Sequence, residues 1–228
     1  MTGGSLPPRP WTTGARRDPS FPSDLLEGPV LDAARGLLGA VLVSTVGGER
    51  TAGVIVETEA YAGAIDPASH ASAARGMTRR NRAMFGPPGR AYVYRSYGMH
   101  WCMNVVTGPA GQAQAVLLRG IEPLEGEDVM ERRRGGARPL GAGPGRLCEA
   151  LGITDALYGH DLREPPLVLE AGWSVPDACV GNSPRVGIRE AADWPYRFYV
   201  RGSPGVSRPD GWGALQDPAR RSGVRRAR

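Results

Sequence analysis

Apolar and polar positions alternate along this chain with two different periods. After Pro29, the run Val30, Leu31, Ala34, Leu37 and Leu38 has the spacing of one helical face, with proline at a first turn and Gly36 and Gly39 bringing an early end. From residue 40 the period shortens. Residues 40–46 and 51–61 read as two β-branched strands joined by a tight turn at Gly47-Gly48. Residues 91–94 and 99–106 read as a second hairpin, with Arg95, Ser96, Tyr97 and Gly98 at or near its tip, and 113–118 as a further strand. Helical spacing returns at 123–133 and 145–151, and strand patterns at 167–170, 185–188 and 197–201. No fixed-period repeat is present, which removes solenoids and propellers. The predicted fold class is α+β: a single compact domain with a curved, largely antiparallel β-sheet, surrounding helices and a protruding β-hairpin.

The two ends lack such periodicity. Residues 1–20 are rich in Gly, Pro and Arg and are expected to be a disordered N-terminal tail; residues 208–228 form a basic, disordered C-terminal tail, leaving 21–207 as the folded domain. A chain of 228 residues with 41% hydrophobic content supports one ordinary core, while 33 glycines and 21 prolines argue against a helical bundle. No apolar run approaches the roughly 20 residues of a membrane span, and no signal-peptide pattern opens the chain, so a cytoplasmic, nucleoid-associated protein is expected. Cys102, Cys148 and Cys179 stand singly, which points to reduced thiols and not to disulfides or a zinc knuckle.

Charge distribution changes the picture more than net charge. The chain has no lysine, so its 28 basic residues are all arginine, against 23 acids. Between Asp66 and Glu122 no acidic residue occurs, yet Arg75, Arg79, Arg80, Arg82, Arg90, Arg95 and Arg119 do. A polyanion is the natural partner of such a stretch. Arg75, Arg79, Arg80, Arg82 and Arg95 are candidate phosphate contacts.

Candidate chemistry falls in the same region. In an extended strand Ile55, Glu57, Glu59 and Tyr61 share one face, so a carboxylate and an aromatic ring project together; alternation alone does not choose between Glu57 and Glu59. Tyr92, Tyr94 and Tyr97 lie on or beside the hairpin among arginines, a composition suited to stacking on bases and, at an exposed tip, to wedging into a duplex. His70 sits in a loop-like run of small residues. With His100 and His160 it makes no metal-ligand spacing, so a metal is not expected. Without lysine, the Schiff-base route that nicks a DNA backbone has no lysine amine to start from.

These residues lie in strings that resemble the 3-methyladenine, or alkyladenine, DNA glycosylase family: VETEAYAG at 56–63, SHAS around His70, RNRAMFGPPGRAYVY at 80–94, YGMHWCMNV at 97–105, LLRGIEPLEG at 117–126, GPGRLCEALGI at 143–153 and RFYVRGSPGVS at 197–207. The resemblance implies a monofunctional base-excision repair glycosylase, monomeric, without AP-lyase activity and needing no cofactor, acting on double-stranded DNA with a damaged purine. Alkylated or deaminated purines of the 3-methyladenine, hypoxanthine and ethenoadenine class are flipped, and the N-glycosidic bond is hydrolysed. It implies Glu59 as the water-activating carboxylate, Arg119 as its catalytic partner, and Tyr61, His70, Tyr94 and Asn104 as base-binding residues. Tyr97 is implied as the intercalating residue. His100 departs from the tyrosine that some members carry after the YGM triplet. Two other readings compete: a noncatalytic nucleic-acid-binding module, to which a carboxylate facing phosphates would be a hindrance, and a small-molecule hydrolase or formyl-transfer relative, which needs neither a wedge tyrosine nor a basic stretch.

Overall fold

The computed structural model describes residues 14–18 and 20–208. Two short helices, α1 (Ser23–Glu27) and α2 (Val30–Gly36), precede eight strands: β1 (Val41–Ser44), β2 (Thr51–Tyr61), β3 (Ala91–Ser96), β4 (His100–Thr107), β5 (Gln114–Glu125), β6 (Leu167–Glu170), β7 (Val180–Ser183) and β8 (Arg197–Val200). Helices α3 (Glu127–Arg133) and α4 (Pro144–Leu151) lie between β5 and β6. Among the described residues these strands form one open sheet in the order β3-β4-β5-β2-β1-β6, with β8 joined to β2 and β7 to β8. Every pairing is antiparallel. The α+β class and the hairpin are as the sequence pattern predicts. No helix among the described residues is long and apolar enough to cross a membrane.

Strand β2 organises the molecule. Its first half pairs with β1 and its second half, from Glu57 to Glu59, with β8, while β5 runs along its other edge. Both faces of this region are covered. Leu42 and Ile55 join one apolar cluster with Ala33, Ala34 and Leu37 around α2 and Leu147 and Leu151 of α4; Val41, Val43, Val54 and Val56 join another with Val200 of β8. That double burial explains the continuous apolar run in β1 and early β2, where a half-exposed strand would alternate.

Two opposed irregularities interrupt the ladder between β2 and β5. The pairs Ile55↔Ile121 and Glu57↔Gly120 leave Val56 as an extra residue on β2, and the pairs Glu57↔Gly120 and Thr58↔Leu118 leave Arg119 as an extra residue on β5. Bulges re-aim side chains, and here they shift the phase of β2. The expectation that Ile55 shares a face with Glu57, Glu59 and Tyr61 is therefore corrected: Ile55 packs with Ala60 in the cluster around α2, where Thr58 Oγ1 also donates to Ala34 O at 2.8 Å. Glycine at position 120 is required because a Cβ there would collide with Gly205 O, and the 203–207 segment must pass this close to reach Glu57.

Other boundaries move for local reasons. Strand β5 runs to Glu125, so the helix predicted from residue 123 begins only at Glu127, after Gly126 in a left-handed conformation. Residues 185–188, predicted as a strand, are irregular loop, and the strand lies just before them at β7. Pro184 contributes no N–H to a ladder. The N–H of Val186 is used elsewhere, as described below. Arg17 N–H donates to Gly172 O and Ser174 N–H to Ala15 O, so this part of the predicted N-terminal tail lies along residues 172–174. The remainder of that tail, 1–13 with Pro19, and residues 209–228 lie outside the described residues.

Candidate active site

The double bulge brings two carboxylates of β2 to one side chain of β5. Glu57 and Glu59 are both fully buried, and Arg119 Nε lies 3.1 Å from Glu57 Oε1 and 3.4 Å from Glu59 Oε1. Two adjacent buried anions would repel strongly without such a cation.

The two carboxylates have unequal surroundings. Glu57 Oε1 accepts from Arg119 Nε, from Arg197 Nε of β8 at 2.7 Å and from Ser207 Oγ at 2.9 Å, while Oε2 accepts from Ser207 N–H at 2.6 Å. Burial would raise its carboxyl pKa, but Arg119, Arg197 and the Ser207 N–H outweigh burial and hold it below the ordinary carboxylate value. Glu57 is a fully engaged structural anion. Glu59 Oε1 accepts from Val186 N–H at 2.7 Å, whereas Oε2 has only longer contacts, to the Tyr61 hydroxyl at 3.1 Å and Arg119 Nη1 at 3.5 Å. An ionised carboxylate has about four acceptor directions, so Glu59 keeps capacity that Glu57 has used.

A cleft of about 530 Å³ opens beside this pair. Tyr61, Arg119 and Val186, the three residues bonded to Glu59, all line it, together with His70, Tyr94, Tyr97, Asn104 and Cys102. Glu59 itself does not line the cleft; it stands directly behind the wall these three make. The predicted base-binding residues are thus brought together.

The aromatic wall is organised by hydrogen bonds. His70 Nδ1 lies 2.8 Å from the Tyr92 hydroxyl, and its ring meets Tyr94 edge-on at 4.6 Å between centroids. Tyr92 and Tyr94 are stacked at 5.4 Å. Burial, followed by the charges of Arg80 and Arg75, pushes the His70 pKa down to about 4, so the imidazole is neutral at pH 7. Burial likewise holds the hydroxyls of Tyr61, Tyr92 and Tyr94 well above their ordinary value, which keeps them protonated donors. The backbone of His70 is fixed by buried Asn81, whose Nδ2 donates to His70 O at 2.8 Å and to Gly76 O at 2.8 Å. Asn104, opposite Tyr92 in the β3–β4 ladder, donates from Nδ2 to Tyr92 O at 3.0 Å.

Tyr97 occupies the hairpin tip. It has a positive φ of 49°, Gly98 follows at 67°, and Met99 N–H closes the turn on Ser96 O at 3.0 Å. Positive φ at both central residues matches the twist of the flanking strands, but for a non-glycine residue it is strained. The strain presents a ring that is 88% exposed.

The five candidate phosphate arginines separate into two groups. Arg79, Arg80, Arg82 and Arg95 are exposed and line a second groove of about 680 Å³ with Val93, Tyr94 and Tyr158; Arg80 and Tyr94 line both it and the first. Arg80 lies over the Tyr94 ring at 5.2 Å and Arg95 over Trp101 at 5.5 Å. Arg75 is also exposed but is engaged locally, donating to Pro67 O at 2.9 Å and Ser69 O at 2.5 Å and pairing with Glu190 at 3.5 Å, and so braces the loop that carries His70.

Several residues of this arrangement are not marked as site residues by any local pattern. Arg185 and Val186 sit in no motif, and Arg197 and Ser207, although they bound the 197–207 string, meet Glu57 from 140 and 150 residues away. For Asp66 the hint is that it is the last acid before the acid-free stretch. Among the described residues, no three His, Cys, Asp or Glu side chains are placed to hold a metal ion.

The model of the methylpurine-DNA glycosylase family matches residues 24–204. A protein of Nitrosospira multiformis is 50% identical over 193 residues, covering 83% of this chain and 95% of its own. Relatives from Chlorobaculum parvum and Methanoculleus marisnigri are each 48% identical, covering 81% and 83% of this chain and 89% and 99% of theirs. All three are provisionally named as 3-methyladenine DNA glycosylases.

Proposed function

Because the chain belongs to the methylpurine-DNA glycosylase family, we propose that it flips alkylated or deaminated purines out of double-stranded DNA and hydrolyses their N-glycosidic bond with a water activated by Glu59. The carrying observation is the contrast between the two glutamates: Glu57 is saturated by two arginines and Ser207, while Glu59 retains acceptor capacity and touches three residues of the cleft wall.

In the reaction Glu59 takes a proton from water, the water oxygen bonds to C1′, and the electron pair of the C1′–N bond leaves with the purine. Positive charge develops on the sugar as that bond stretches, as in sugar hydrolysis generally, and the nearby carboxylate stabilises it. Arg119 holds Glu59 in orientation through its contacts to both carboxylate oxygens. Alkylated purines such as 3-methyladenine depart easily because they are already cationic; hypoxanthine and ethenoadenine need ring protonation first. Tyr61, His70 and Tyr94 hold the flipped base, each stacked ring contributing about 1–3 kcal/mol. Asn104 borders the base edge. Tyr97 fills the vacated stack, offsetting the few kcal/mol that unstacking costs. With no lysine to form a Schiff base, the product is an abasic site with its strand intact, and a monomer suffices for these steps.

The test is incubation of the purified protein with duplexes carrying single 3-methyladenine, hypoxanthine or ethenoadenine lesions, followed by alkaline cleavage of abasic sites. Cleavage at one or more lesions that depends on alkali and is lost in Glu59→Gln is expected. Wild-type rates in Glu59→Gln would remove Glu59 from the role of base.

A further inference from the structure

We propose that Arg185 and Asp66 form a positioning pair that sets the orientation of the Glu59 carboxylate and of the Tyr61 ring for hydrolysis. The inference rests on Glu59 acting as the base.

Both side chains are completely buried. Arg185 Nη2 donates to Asp66 Oδ1 at 2.9 Å and Nη1 donates to Asp66 Oδ2, a two-pronged contact of high directional specificity. Nη1 also donates to Ala60 O at 3.0 Å, on the strand residue between Glu59 and Tyr61. The guanidinium lies over the Tyr61 ring at 4.7 Å and over Tyr196 at 5.3 Å. Asp66 completes the tie by accepting from Ala62 N–H at 3.1 Å and Ala68 N–H at 3.0 Å, which fixes the loop leading to His70.

The consequence for chemistry comes one residue later. Val186 N–H makes the shortest hydrogen bond to Glu59, at 2.7 Å, and Val186, Gly187 and Ile188 form part of the cleft wall. The segment 184–188 belongs to no strand, so no ladder holds that N–H in place. Its anchor is the ion pair of the preceding residue. A cheaper apolar contact would fill the same volume, since buried ion pairs add little to stability relative to well-packed apolar groups. Directional anchoring is what the charged pair supplies and an apolar pair would not. Displacements of about 1 Å around a reacting group can cost on the order of a hundredfold in rate.

Glu59 is also faced by Glu57 and Tyr61 of β2, Arg119 of β5, Arg197 of β8, and Tyr94 and Cys102 of the hairpin, and these stay unchanged in the variants below. Losing the Val186 donor leaves the Glu59 carboxylate held only by its longer contacts to Tyr61 and Arg119, so excision slows while the surface that meets the duplex is untouched.

The experiment measures single-turnover excision at saturating protein, lesion-duplex affinity and thermal unfolding for Arg185→Lys and Asp66→Asn. Expected are a saturated rate at least about tenfold lower and affinity within about threefold. A saturated rate within twofold of wild type, or a rate loss matched by an equal loss of affinity, overturns the proposal. Where both variants unfold, Val186→Pro, which deletes the N–H and leaves the ion pair in place, decides by the same readouts. An inactive Glu59→Gln beside unaffected pair variants rejects the positioning pair alone, whereas an active Glu59→Gln rejects the assignment of the base.

Discussion

Arg197 stands directly opposite Glu59 in the β2–β8 ladder, yet its Nε donates to Glu57 at 2.7 Å and not to its cross-strand neighbour. The diagonal contact concentrates two guanidinium groups on Glu57 and leaves Glu59 to the cleft wall. On the proposed role of Glu59, structure and chemistry are thereby divided between carboxylates two residues apart.

That division predicts opposite phenotypes for isosteric changes. Glu57→Gln leaves two buried arginines short of an anion and is expected to lower stability by about 3–5 kcal/mol. Because the Glu57 pKa is lower in the folded state than in the unfolded chain, its stabilisation is complete above the unfolded carboxylate value and is lost as pH falls through the folded one. Urea unfolding from pH 7 down to pH 3 should show the wild type losing this contribution at the acid end, and Glu57→Gln lacking it throughout.

Glu59→Gln is expected to fold with a melting temperature within a few degrees of wild type, bind lesion duplex comparably, and excise more slowly by a factor of about 10²–10⁴, the usual contribution of a positioned general base. Single-turnover kinetics alongside a binding titration separates the two quantities. Comparable binding with lost excision is also what excludes a module that only binds.

His70 supplies a pH prediction of its own. Its pKa of about 4 lies below the ordinary 6.5 because of burial, then Arg80 and Arg75. Between these values the unfolded chain binds more protons than the folded one, so His70 makes stability fall as pH drops from 6.5 toward 4. Replacing it with glutamine should flatten that part of the stability profile. An NMR titration of the imidazole that turned over near pH 6.5 would contradict this.

Tyr97 sets stability against function. Glycine accepts the positive φ without the strain of about 1–2 kcal/mol that a side chain brings, although it gives up some through the freer unfolded chain. Tyr97→Gly is therefore expected to melt no lower than wild type while binding lesion duplex more weakly. A differential scan and a binding titration on the same preparation test both halves.

The hairpin, the pairing of β1 with β2 and the acid-free arginine stretch were legible because each is written locally, in alternation, turn residues and composition. The phase of β2 was not. Strict alternation assigns Ile55 to the face of Glu59, and only the extra residues Val56 and Arg119 reverse that. Likewise, R-V-G-I at 185–188 has an alternating pattern, but Val186 spends its N–H on a carboxylate 127 residues earlier in the chain. The division of labour between Glu57 and Glu59 depends on Arg197 and Ser207, contributed by segments 140 and 150 residues away, so no window of sequence contains it.

The arginines give the last prediction. Each phosphate neutralised by a side chain releases condensed counterions, and the slope of log affinity against log salt changes by about 0.9 per contact on duplex DNA. Arg79, Arg82 and Arg95 are exposed along the groove that adjoins the base cleft, so alanine at each should make the slope shallower by about that amount and weaken binding to lesion and undamaged duplex alike. Arg75 differs because its guanidinium donates to Pro67 O and Ser69 O within the loop that carries His70. Alanine there should leave the salt slope unchanged and instead slow excision, by loosening the backbone on which His70 is mounted. Titrations from 50 to 200 mM salt across the four variants separate the groups, and a slope change in Arg75→Ala equal to the others would show that this side chain leaves its loop partners when DNA binds.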